Sequence, residues 1–286
     1  MQQLSTVALL RAALKDERSK GKSIGLVPTM GNLHAGHLAL VERARLLSDT
    51  VVVSVFVNPL QFDQQADLEA YPRTLEDDAA QLRVSGVDVL FAPTAQEMYP
   101  AGMQQTSFVE VPQVTQRMEG AVRQGHFTGV ATVVSKLFNQ VQPTVAVFGE
   151  KDFQQLLVVR KLVRDLDIPV EIVAEPTIRE DDGLAMSSRN RLLSEGDRRI
   201  APGLYRTLKK VATEIQAGHR HFRTLEKTGC EWLIESGLQP DYVEICDDQT
   251  LLPASASTKD LIILSAARLG TVRLLDNLRL NLNNQG

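Results

Sequence analysis

The sequence predicts an α/β fold, in which a Rossmann-like parallel sheet flanked by helices is followed by a smaller C-terminal α+β domain. Three observations support this prediction. Strand-like and helix-like segments alternate as far as Pro176, which is typical of βαβ units and a parallel sheet. The run TVVVSVFV at residues 50–57 is almost continuously β-branched, as expected for a strand covered on both faces. After Pro176 the alternation stops, so we expect one domain at residues 1–176 and a second at 177–286.

The elements of the first domain follow from the apolar periodicity of each segment. The first 22 residues lack the basic stretch and small-residue cleavage site of a signal peptide, and we expect an amphipathic helix there. Leu38, Val41 and Ala44 recur three apart, which indicates a helix with one apolar face. The segment 106–111 breaks the alternation and is expected to form an excursion at the sheet edge. The predicted strands are 23–27, 50–57, 87–91, 145–148 and 170–173, and the predicted helices are 35–47, 75–85, 130–140 and 153–166.

The second domain is predicted to begin with a loop rich in charged and small residues. Ser194 is expected to cap a long helix that runs to about Ala217, although Pro202 lies in its second turn. A second helix and three strands then complete an α+β module. The helix is predicted at 222–236, and the strands at 242–246, 261–266 and 272–275.

Composition and charge narrow the possible classes of function. The 286 residues are 43% hydrophobic and 23% charged, which is ordinary for a globular protein and excludes a disordered or coiled-coil chain. No apolar run reaches the roughly 18–20 residues of a membrane span. The net charge of −4 shows no basic surplus, so we expect neither a nucleic-acid partner nor a membrane. The two cysteines form no CxxC pair, and the expected compartment is the reducing cytoplasm.

A loop with two histidines follows the first long strand and precedes a helix. It reads MGNLHAGH at residues 30–37, where Gly31 and Gly36 let a nucleotide approach the backbone closely. A helix N-terminus offers unpaired N–H groups and a partial positive charge, both of which suit phosphate. His34 and His37 are three apart, so both rings can share one side of the first turn. There they could donate hydrogen bonds to phosphate oxygens and stabilise charge during phosphoryl or nucleotidyl transfer.

Simpler interpretations of this loop stay open. A single histidine at a helix start is often a surface or capping residue, and two histidines at this spacing can bind zinc. A zinc site needs a third ligand, however, and no HExxH motif or cysteine pair accompanies His34 and His37.

Two further clusters carry cations that suit phosphate. Residues 149–152, GEKD, follow a predicted strand, at the end where ligands bind in open α/β sheets. Lys151 is a candidate phosphate cation, and Asp152 is a candidate ribose contact or helix cap. Residues 186–189, MSSR, combine hydroxyl groups with the guanidinium of Arg189 and can surround phosphates. The simpler interpretations are a solvated turn for the first cluster and an ordinary polar loop for the second.

Two other segments have both a functional and a structural interpretation. NPLQF at residues 58–62 follows the second long strand, and uncharged amides at a strand end can bind hydroxyl and carboxylate groups. The alternative is a turn set by the Asn-Pro pair. EDD at residues 76–78 is interpreted as the acidic first turn of a helix, with a contact to Mg²⁺ as the alternative.

Taken together, these motifs are specific. PTMGNLHAGH resembles the H-x-G-H signature of the nucleotidyl-transferring α/β superfamily that includes class I aminoacyl-tRNA synthetases. MSSR is similar to a shortened form of the mobile phosphate-binding loop of that superfamily. With FVNPLQF, YPRTLEDD, GHFTGV, VFGEKDFQQL and DGLAMSSRN, they resemble one family, the pantoate–β-alanine ligases (pantothenate synthetases). The resemblance covers nearly the whole chain, is densest between residues 24 and 204, and is looser near the C-terminus.

The resemblance implies a reaction. Members of the family join (R)-pantoate to β-alanine with ATP, through an enzyme-bound pantoyl adenylate, and release AMP and pyrophosphate. They use Mg²⁺ and are usually cytoplasmic homodimers. Because the adenylate must be shielded from water until the amine arrives, we expect the MSSR loop and the second domain to act as a lid.

The resemblance also implies a set of site residues, although it assigns no metal ligand. His37, His34, Lys151 and Arg189 are expected to be catalytic, with His37 as the usual proton donor. Gln61 and Gln155 are the expected pantoate contacts, and Gln61 is also assigned to β-alanine. The expected ATP-binding residues are Met30, Gly31, Asn32, Leu33, His34, Ala35, Gly36, His37, Gly149, Glu150, Lys151, Asp152, Ile178, Met186, Ser187, Ser188 and Arg189.

Other functions were weighed against this one. A nucleotidylyltransferase of the same superfamily would join AMP to a phosphorylated substrate and would need a cationic pocket for the second phosphate. Gln61 and Gln155 favour a neutral, polar hydroxy acid instead. A non-catalytic nucleotide sensor would need neither two histidines nor a full set of phosphate cations. A tRNA-charging role is disfavoured by the net charge and by the lack of a segment of the size that binds an anticodon.

Overall fold

The structure is a computed structural model, and it describes residues 1–63 and 65–282. The chain forms two compact units. The first comprises residues 1–150 and 154–176, and the second comprises residues 151–153 and those from Thr177 onward. The short segment 151–153, which we expected in the first domain, therefore groups with the second unit.

The first unit is built on a six-stranded parallel sheet. Its strands are β1 (Gln2–Leu4), β2 (Ile24–Thr29), β3 (Thr50–Val55), β4 (Val89–Phe91), β5 (Val145–Gly149) and β6 (Glu171–Glu175). Their order is β1-β4-β3-β2-β5-β6, and every neighbouring pair is parallel. The chain thus builds one half of the sheet from β2 through β4 and then returns to build the other half with β5 and β6. This doubly wound order is that of a Rossmann-like fold, and the predicted fold class is confirmed.

Helices cover this sheet because their apolar residues recur on one side. On one face, Val41 of α2 and Leu82 of α4 pack in a buried cluster with Val27 of β2, Val53 of β3 and Val147 of β5. Helix α7 is buried nearly all round and contacts both α1 and β2. The helices are α1 (Val7–Ser19), α2 (Ala35–Leu47), α3 (Gln65–Ala70), α4 (Leu75–Val84), α5 (Ala95–Met98), α6 (Glu119–Val122), α7 (His126–Val141) and α8 (Phe153–Asp165).

Two local predictions for the first unit were incomplete. The short strand β1 was not predicted, because three residues with two polar side chains show no periodicity. Segment 106–111, which was predicted to break the alternation, has no regular secondary structure, and its Val109 N–H donates to the Thr132 hydroxyl of α7 at 3.0 Å. Helix α7 begins one turn earlier than predicted, after Gly125, which adopts a left-handed conformation with φ 77°.

The second unit contains a three-stranded antiparallel sheet in the order β7-β8-β9. Its helices bury Leu208, Val211 and Leu233 in one cluster with Ile245 and Ile263 of the sheet. No helix within residues 1–63 and 65–282 is long and apolar enough to cross a membrane. The elements are α9 (Glu195–Ile200), α10 (Gly203–Gln216), α11 (Phe222–Glu235), β7 (Gln239–Asp247), β8 (Asp260–Leu269) and β9 (Val272–Asn281).

The long helix predicted from Ser194 to Ala217 is divided in two, and this prediction was wrong. Ser194 does cap a helix, by accepting the N–H of Asp197 at 3.1 Å. That helix stops before Pro202, and α10 starts after it. Proline lacks the N–H that a helix interior requires, and its ring crowds the preceding turn, so the chain restarts the helix with Pro202 at its N-terminus.

Candidate active site

Two of the predicted motifs leave the sheet at adjacent strand ends. Strands β2 and β5 are direct neighbours, with Leu26 opposite Ala146. The two halves of the sheet diverge here, and open α/β sheets bind ligands outside the carboxyl ends of the strands at such a point. The loop at 30–37 follows β2, and Glu150 follows β5. The topology of the first unit therefore brings the histidine loop and the start of the GEKD motif to one edge.

His34 and His37 cap the helix that follows them. His34 is the N-cap of α2, and its Nδ1 accepts the N–H of Gly36 at 3.1 Å. The Nδ1 of His37 accepts the N–H of His34 at 3.3 Å, which completes a reciprocal capping box. The two ring centroids lie 4.1 Å apart. Because an Nδ1 that accepts an N–H carries no proton, both rings are neutral in this arrangement and hold their proton on Nε2.

Most backbone N–H groups of the loop are already bonded within the protein, which corrects the expectation that they are unpaired. Those of Asn32 and Leu33 donate to Asp78, and those of His34 and Gly36 donate to the two imidazoles. These acceptors lie within the protein itself, so these four N–H groups are satisfied before a ligand arrives. Because each Nδ1 serves as an acceptor, the donor that each imidazole contributes is its Nε2–H group.

Asp78 belongs to this site, and the sequence analysis missed its role. It is only 1% exposed, and its two carboxylate oxygens accept the N–H groups of Asn32 at 2.9 Å and Leu33 at 2.8 Å. The acidic run 76–78 does open a helix, as predicted. Helical spacing was the available signal, since Asp78 lies four residues before the buried Leu82 whereas Asp77 is exposed. Its carboxylate braces the loop through these two bonds.

The turn that carries Gln61 is fixed by buried polar groups. Asn58 is fully buried, caps the short 3₁₀ turn at 59–61, and donates to the carbonyl of Gly129 at 3.1 Å. Tyr99 donates its hydroxyl to Asn58 Oδ1 at 2.8 Å. Burial raises the pKa of Tyr99, which keeps this hydroxyl protonated. The structural interpretation of the Asn-Pro turn is therefore correct, and the turn also holds Gln61 in place.

Residues at the start of α7 hold the backbone of Gln61. The carbonyl of Gln61 accepts hydrogen bonds from His126 Nδ1 at 2.9 Å and from Arg123 Nη2 at 3.2 Å. Arg123 Nη1 lies 3.2 Å from His126 Nε2, so the neutral ring carries its proton on Nδ1. Gly129 permits this approach, because a Cβ there would lie 2.2 Å from the carbonyl oxygen of Leu60.

The side chains of Gln61 and Gln155 have unused hydrogen-bonding capacity. Across residues 1–63 and 65–282, neither side-chain amide has a hydrogen-bond partner in the protein. Gln61 is buried and Gln155 is half-buried, so forming such bonds with a ligand would satisfy amides that are largely withdrawn from water. Each amide both donates and accepts, as binding a hydroxy acid requires.

Within the second unit, three predicted phosphate-binding residues meet. Lys151, Ser187 and Arg189 line one pocket, together with Asn190 and Asp276. A lysine, an arginine and a serine hydroxyl around one pocket form a set of donors that suits phosphate oxygens. Lys151 lies far from Ser187 and Arg189 in the sequence, and the fold brings the three residues together.

Strand β9 holds the backbone around Lys151, and no sequence pattern indicated this. Asn277 Nδ2 donates to the carbonyl oxygen of Lys151 at 2.9 Å. The guanidinium of Arg279 lies 5.7 Å from the ring centroid of Phe153, two residues further on. The Nζ of Lys151 is 3.4 Å from Asp152 Oδ1. The segment that carries the cation is thus contacted by two residues of β9.

A buried ion pair anchors the chain that leads to the MSSR loop. Asp276 accepts two hydrogen bonds from Arg179, at 2.7 and 2.9 Å, and this guanidinium stacks 3.6 Å from the ring centroid of Tyr205. Burial raises the pKa of Asp276, and the Arg179 hydrogen bonds oppose the rise. Next to this pair, the Met186 N–H donates to the Ile178 carbonyl at 2.9 Å, so two predicted ATP contacts adjoin.

Comparison with known proteins decides the family. A profile described as pantoate-beta-alanine ligase matches residues 2–279. The chain belongs to the pantoate–β-alanine ligase family. It is 56% identical to the pantothenate synthetase of Pseudomonas fluorescens (strain Pf0-1) over 283 residues, which cover 99% of each protein. It is 54% identical to the pantothenate synthetase of Azotobacter vinelandii over 279 residues, which cover 98% of this chain and 99% of the relative.

Solved structures of the same family share the fold. The pantothenate synthetase of Thermus thermophilus superposes with a TM-score of 0.90 at 51% identity, covering 97% of this chain and 99% of that one. The pantoate-beta-alanine ligase of Francisella tularensis, complexed with beta-gamma ATP and beta-alanine, gives 0.82 at 33% identity, covering 97% of each. The resemblance drawn from the motifs is confirmed. As a pantoate–β-alanine ligase, the chain is an ATP-dependent enzyme of pantothenate synthesis.

Proposed function

We propose that the chain joins (R)-pantoate to β-alanine in two steps, through an enzyme-bound pantoyl adenylate, with release of AMP and pyrophosphate. The observation that carries this proposal is the capped histidine pair at the end of β2, which holds two neutral imidazoles 4.1 Å apart beside the strand that leads to Lys151. A carboxylate is a poor acyl donor, and attachment to the α-phosphate of ATP supplies a good leaving group.

In the first step, a carboxylate oxygen of pantoate attacks the α-phosphorus of ATP. The bond from that phosphorus to the oxygen that bridges to the β-phosphate breaks, and pyrophosphate leaves with the electron pair. Charge grows on phosphate oxygens, and we assign His34, His37, Lys151 and Arg189 to stabilise it. The two histidines act as neutral donors, and the other two residues supply positive charge. Because pyrophosphate leaves as an anion, charge stabilisation by His37 matters more than proton donation.

In the second step, the amine of β-alanine attacks the acyl carbon of the adenylate. The amide bond forms, the attacking nitrogen loses a proton, and AMP leaves with the electrons of the acyl–oxygen bond. The unused amides of Gln61 and Gln155 are proposed to hold pantoate, and Gln61 also to meet β-alanine. The adenylate must be shielded from water until the amine arrives, and we propose that the MSSR loop at 186–189 and the second unit serve as the lid.

The remaining nucleotide contacts are proposed as the resemblance implies them. They lie in the segments 30–37, 149–152 and 186–189, and at Ile178. The N–H groups of residues 31–34 and of Gly36 bond within the protein, which leaves fewer backbone donors for phosphate than expected, so side-chain donors carry more of the proposed binding in that loop.

Mg²⁺ is proposed to accompany ATP. In the part of the chain that the structure describes, no group of three or more His, Cys, Asp or Glu side chains is arranged to hold a metal ion. Mg²⁺ commonly binds substrate phosphates and water, with few protein carboxylates. The donor set therefore fits a Mg²⁺ ion held by the phosphates of ATP, where it would neutralise their charge, and we assign it no protein ligand.

We also propose a homodimer in the cytoplasm, with small molecules as the substrates. The family resemblance supports the dimer. The low cysteine count and the absence of a CxxC pair in the sequence support a reducing compartment. The net charge of −4 supports the absence of a nucleic-acid partner.

The competing functions receive less support from the site. A nucleotidylyltransferase would need a cation for the phosphate of its second substrate. Arg123 is near Gln61, but it bonds to the backbone of Gln61 and to His126. A passive nucleotide sensor has no need for the two unused glutamine amides.

The proposal is tested by ATP–pyrophosphate exchange with a panel of small hydroxy acids and no amine. We expect exchange that requires pantoate and proceeds without β-alanine, because the adenylate forms first. Exchange that strictly requires β-alanine would contradict the two-step reaction, and exchange driven by a phosphorylated substrate would favour the nucleotidylyltransferase.

A further inference from the structure

The loop between β2 and α2 is folded around a carboxylate that does not belong to it. Asp78 comes from α4, and it is almost completely buried. Its Oδ2 accepts the N–H of Asn32 at 2.9 Å and its Oδ1 accepts the N–H of Leu33 at 2.8 Å. The hydroxyl of Thr74 donates to the same Oδ2 at 3.2 Å, which fixes the rotamer of the carboxylate.

The backbone of the loop is shaped to this anion. Gly31 and Asn32 both have positive φ, at 81° and 52°. In this turn the successive N–H groups of Asn32 and Leu33 converge on one anion. Here the anion is the side chain of Asp78, and it sits so close that a Cβ on Gly31 would lie 2.9 Å from its Oδ2. Asparagine adopts this left-handed conformation more readily than most residues, and the bond from its N–H to Asp78 holds it there.

The histidine pair begins where this braced segment ends. Leu33 precedes His34, whose extended backbone makes it the N-cap of α2. The His34 N–H in turn bonds to His37 Nδ1. A change in the backbone at Leu33 therefore moves the N-cap, and through the capping box it moves both rings.

We infer that Asp78 is a positioning residue for adenylate formation, because its buried carboxylate sets the conformation of residues 31–33 and so the placement of the His34 and His37 rings. It touches no substrate in this role. The inference rests on the proposed function, in which those two rings stabilise the charge on the phosphates. It also explains why a buried carboxylate lies close to a site for anions: its charge is met by backbone N–H groups and by the N-terminal end of α4.

The test compares Asp78→Asn with Asp77→Asn. Both remove one negative charge from adjacent residues of the same helix turn, but Asp77 is exposed. The asparagine at 78 keeps the size of the side chain and turns an NH₂ group towards one of the two backbone N–H groups.

A misplacement of about 1 Å costs on the order of 100-fold in rate, so we expect single-turnover adenylate formation to slow by about 10- to 100-fold in Asp78→Asn. The KM for pantoate should stay within about threefold, because Gln61 and Gln155 are held by other elements. Asp77→Asn should behave as the unchanged protein.

Hydrogen exchange is the second measurement. In the unchanged protein it tests the two bonds to Asp78 whether or not the variant folds. The amides of Asn32 and Leu33 should exchange slowly in the unchanged protein and faster in Asp78→Asn. Thr74→Val, which keeps the carboxylate but removes the hydroxyl that orients it, should slow adenylate formation by a smaller factor.

Three outcomes would overturn the inference: adenylation at the unchanged rate in folded Asp78→Asn, fast exchange of both amides in the unchanged protein, or an equal loss in Asp77→Asn. Failure of the proposed function would look different, because then the unchanged protein itself would show no pantoate-dependent exchange.

Discussion

Gln154 and Gln155 are adjacent on α8, and the protein uses them in opposite ways. The side chain of Gln154 is buried, donates to the carbonyls of Val114 and Arg117 at 2.7 and 2.9 Å, and accepts the N–H of Glu119 at 3.1 Å. Gln155 is half-buried, and its amide has no hydrogen-bond partner in the part of the chain that the structure describes. One glutamine joins α8 to the segment before α6, and the other is available to a ligand.

This difference predicts opposite effects of alanine at the two positions. Gln155→Ala should raise the KM for pantoate and leave the melting temperature unchanged. Gln154→Ala loses three hydrogen bonds in a buried place, and each buried group that loses its partner costs about 1–3 kcal/mol. The expected fall in melting temperature is therefore on the order of 5 °C or more. Steady-state kinetics and thermal melting of the pair check this. Equal melting temperatures, or an unchanged KM in Gln155→Ala, would contradict the assignment.

Substitutions of His37 should distinguish its role as a helix cap from its proposed role as a hydrogen-bond donor to phosphate. Asparagine can place an oxygen near the position of Nδ1, which keeps the acceptor for the His34 N–H but loses the outer donor. Glutamine can place an NH₂ near the position of Nε2 and loses the cap. Alanine loses both. We therefore expect His37→Ala to damage adenylate formation most, and His37→Gln to retain more of it than His37→Asn.

Thermal melting is the control for the His37 series. His37→Asn should melt close to the unchanged protein, whereas loss of the cap in the other two variants costs about 1 kcal/mol. Adenylate formation at the unchanged rate in His37→Ala would remove this residue from the mechanism. Lost activity together with a collapsed melting temperature would assign it a structural role only.

The positive charge of Lys151 should increase kcat, because we propose that it stabilises the charge that develops on the phosphates. Lys161 is the matched control, because its side chain is 18% exposed against 19% for Lys151, and it pairs with Asp165 on the surface of α8. Lys151→Ala should lower kcat about 10²- to 10³-fold, the usual loss for one preorganised electrostatic contact. Lys161→Ala should leave kcat unchanged. Stopped-time assays of pantothenate formation check both, and turnover near the unchanged value in Lys151→Ala would contradict its role.

Removal of Arg179 should make stability depend on pH. Burial raises the pKa of Asp276 and the guanidinium opposes this, so in Arg179→Met the pKa rises further. The native carboxyl then binds a proton more readily than the unfolded one, so the native state gains stability as pH falls through the raised pKa. Breaking a buried pair commonly costs about 3–5 kcal/mol. The deficit in melting temperature should be largest near pH 8 and shrink towards about pH 5.

Arg198→Met is the control for this effect. Arg198 pairs with Asp182, and both side chains are about one-third exposed or more. Exposed pairs contribute at most about 1 kcal/mol, so we expect a small deficit at both pH values. A deficit in Arg179→Met that is the same at both pH values would contradict the role given to Asp276.

The regular elements could be predicted from sequence because their signals are local. The β-branched run of β3 and the three-residue recurrence in α2 each specify an element without reference to the rest of the chain. Pro202 was also a local signal, and we gave the amphipathic pattern on either side of it too much weight. The strand β1 carries almost no pattern and exists because β4 offers it an edge, with Gln3 opposite Leu90.

The motifs name the candidate residues of the site but not how those residues bond to one another. The motifs identified His34 and His37, yet nothing in their spacing shows that Nδ1 of each ring is used to cap the helix. Asp78 acts 45 residues or more away in sequence from the N–H groups it holds, so only the packing of α4 beside the loop reveals it. The same holds for Asn277, whose bond to the Lys151 carbonyl spans most of the second half of the chain.

The missing side chain at Gly129 sets a limit on redesign of this enzyme for other acids. A larger residue there would collide with the backbone of the turn at 59–61 and displace Gln61 along with it. Attempts to widen or narrow the acid pocket from α7 would therefore disturb both substrates at once, since Gln61 is assigned to both. Position 155 offers the more separable starting point, because its side-chain amide holds no other residue in the part of the chain that the structure describes.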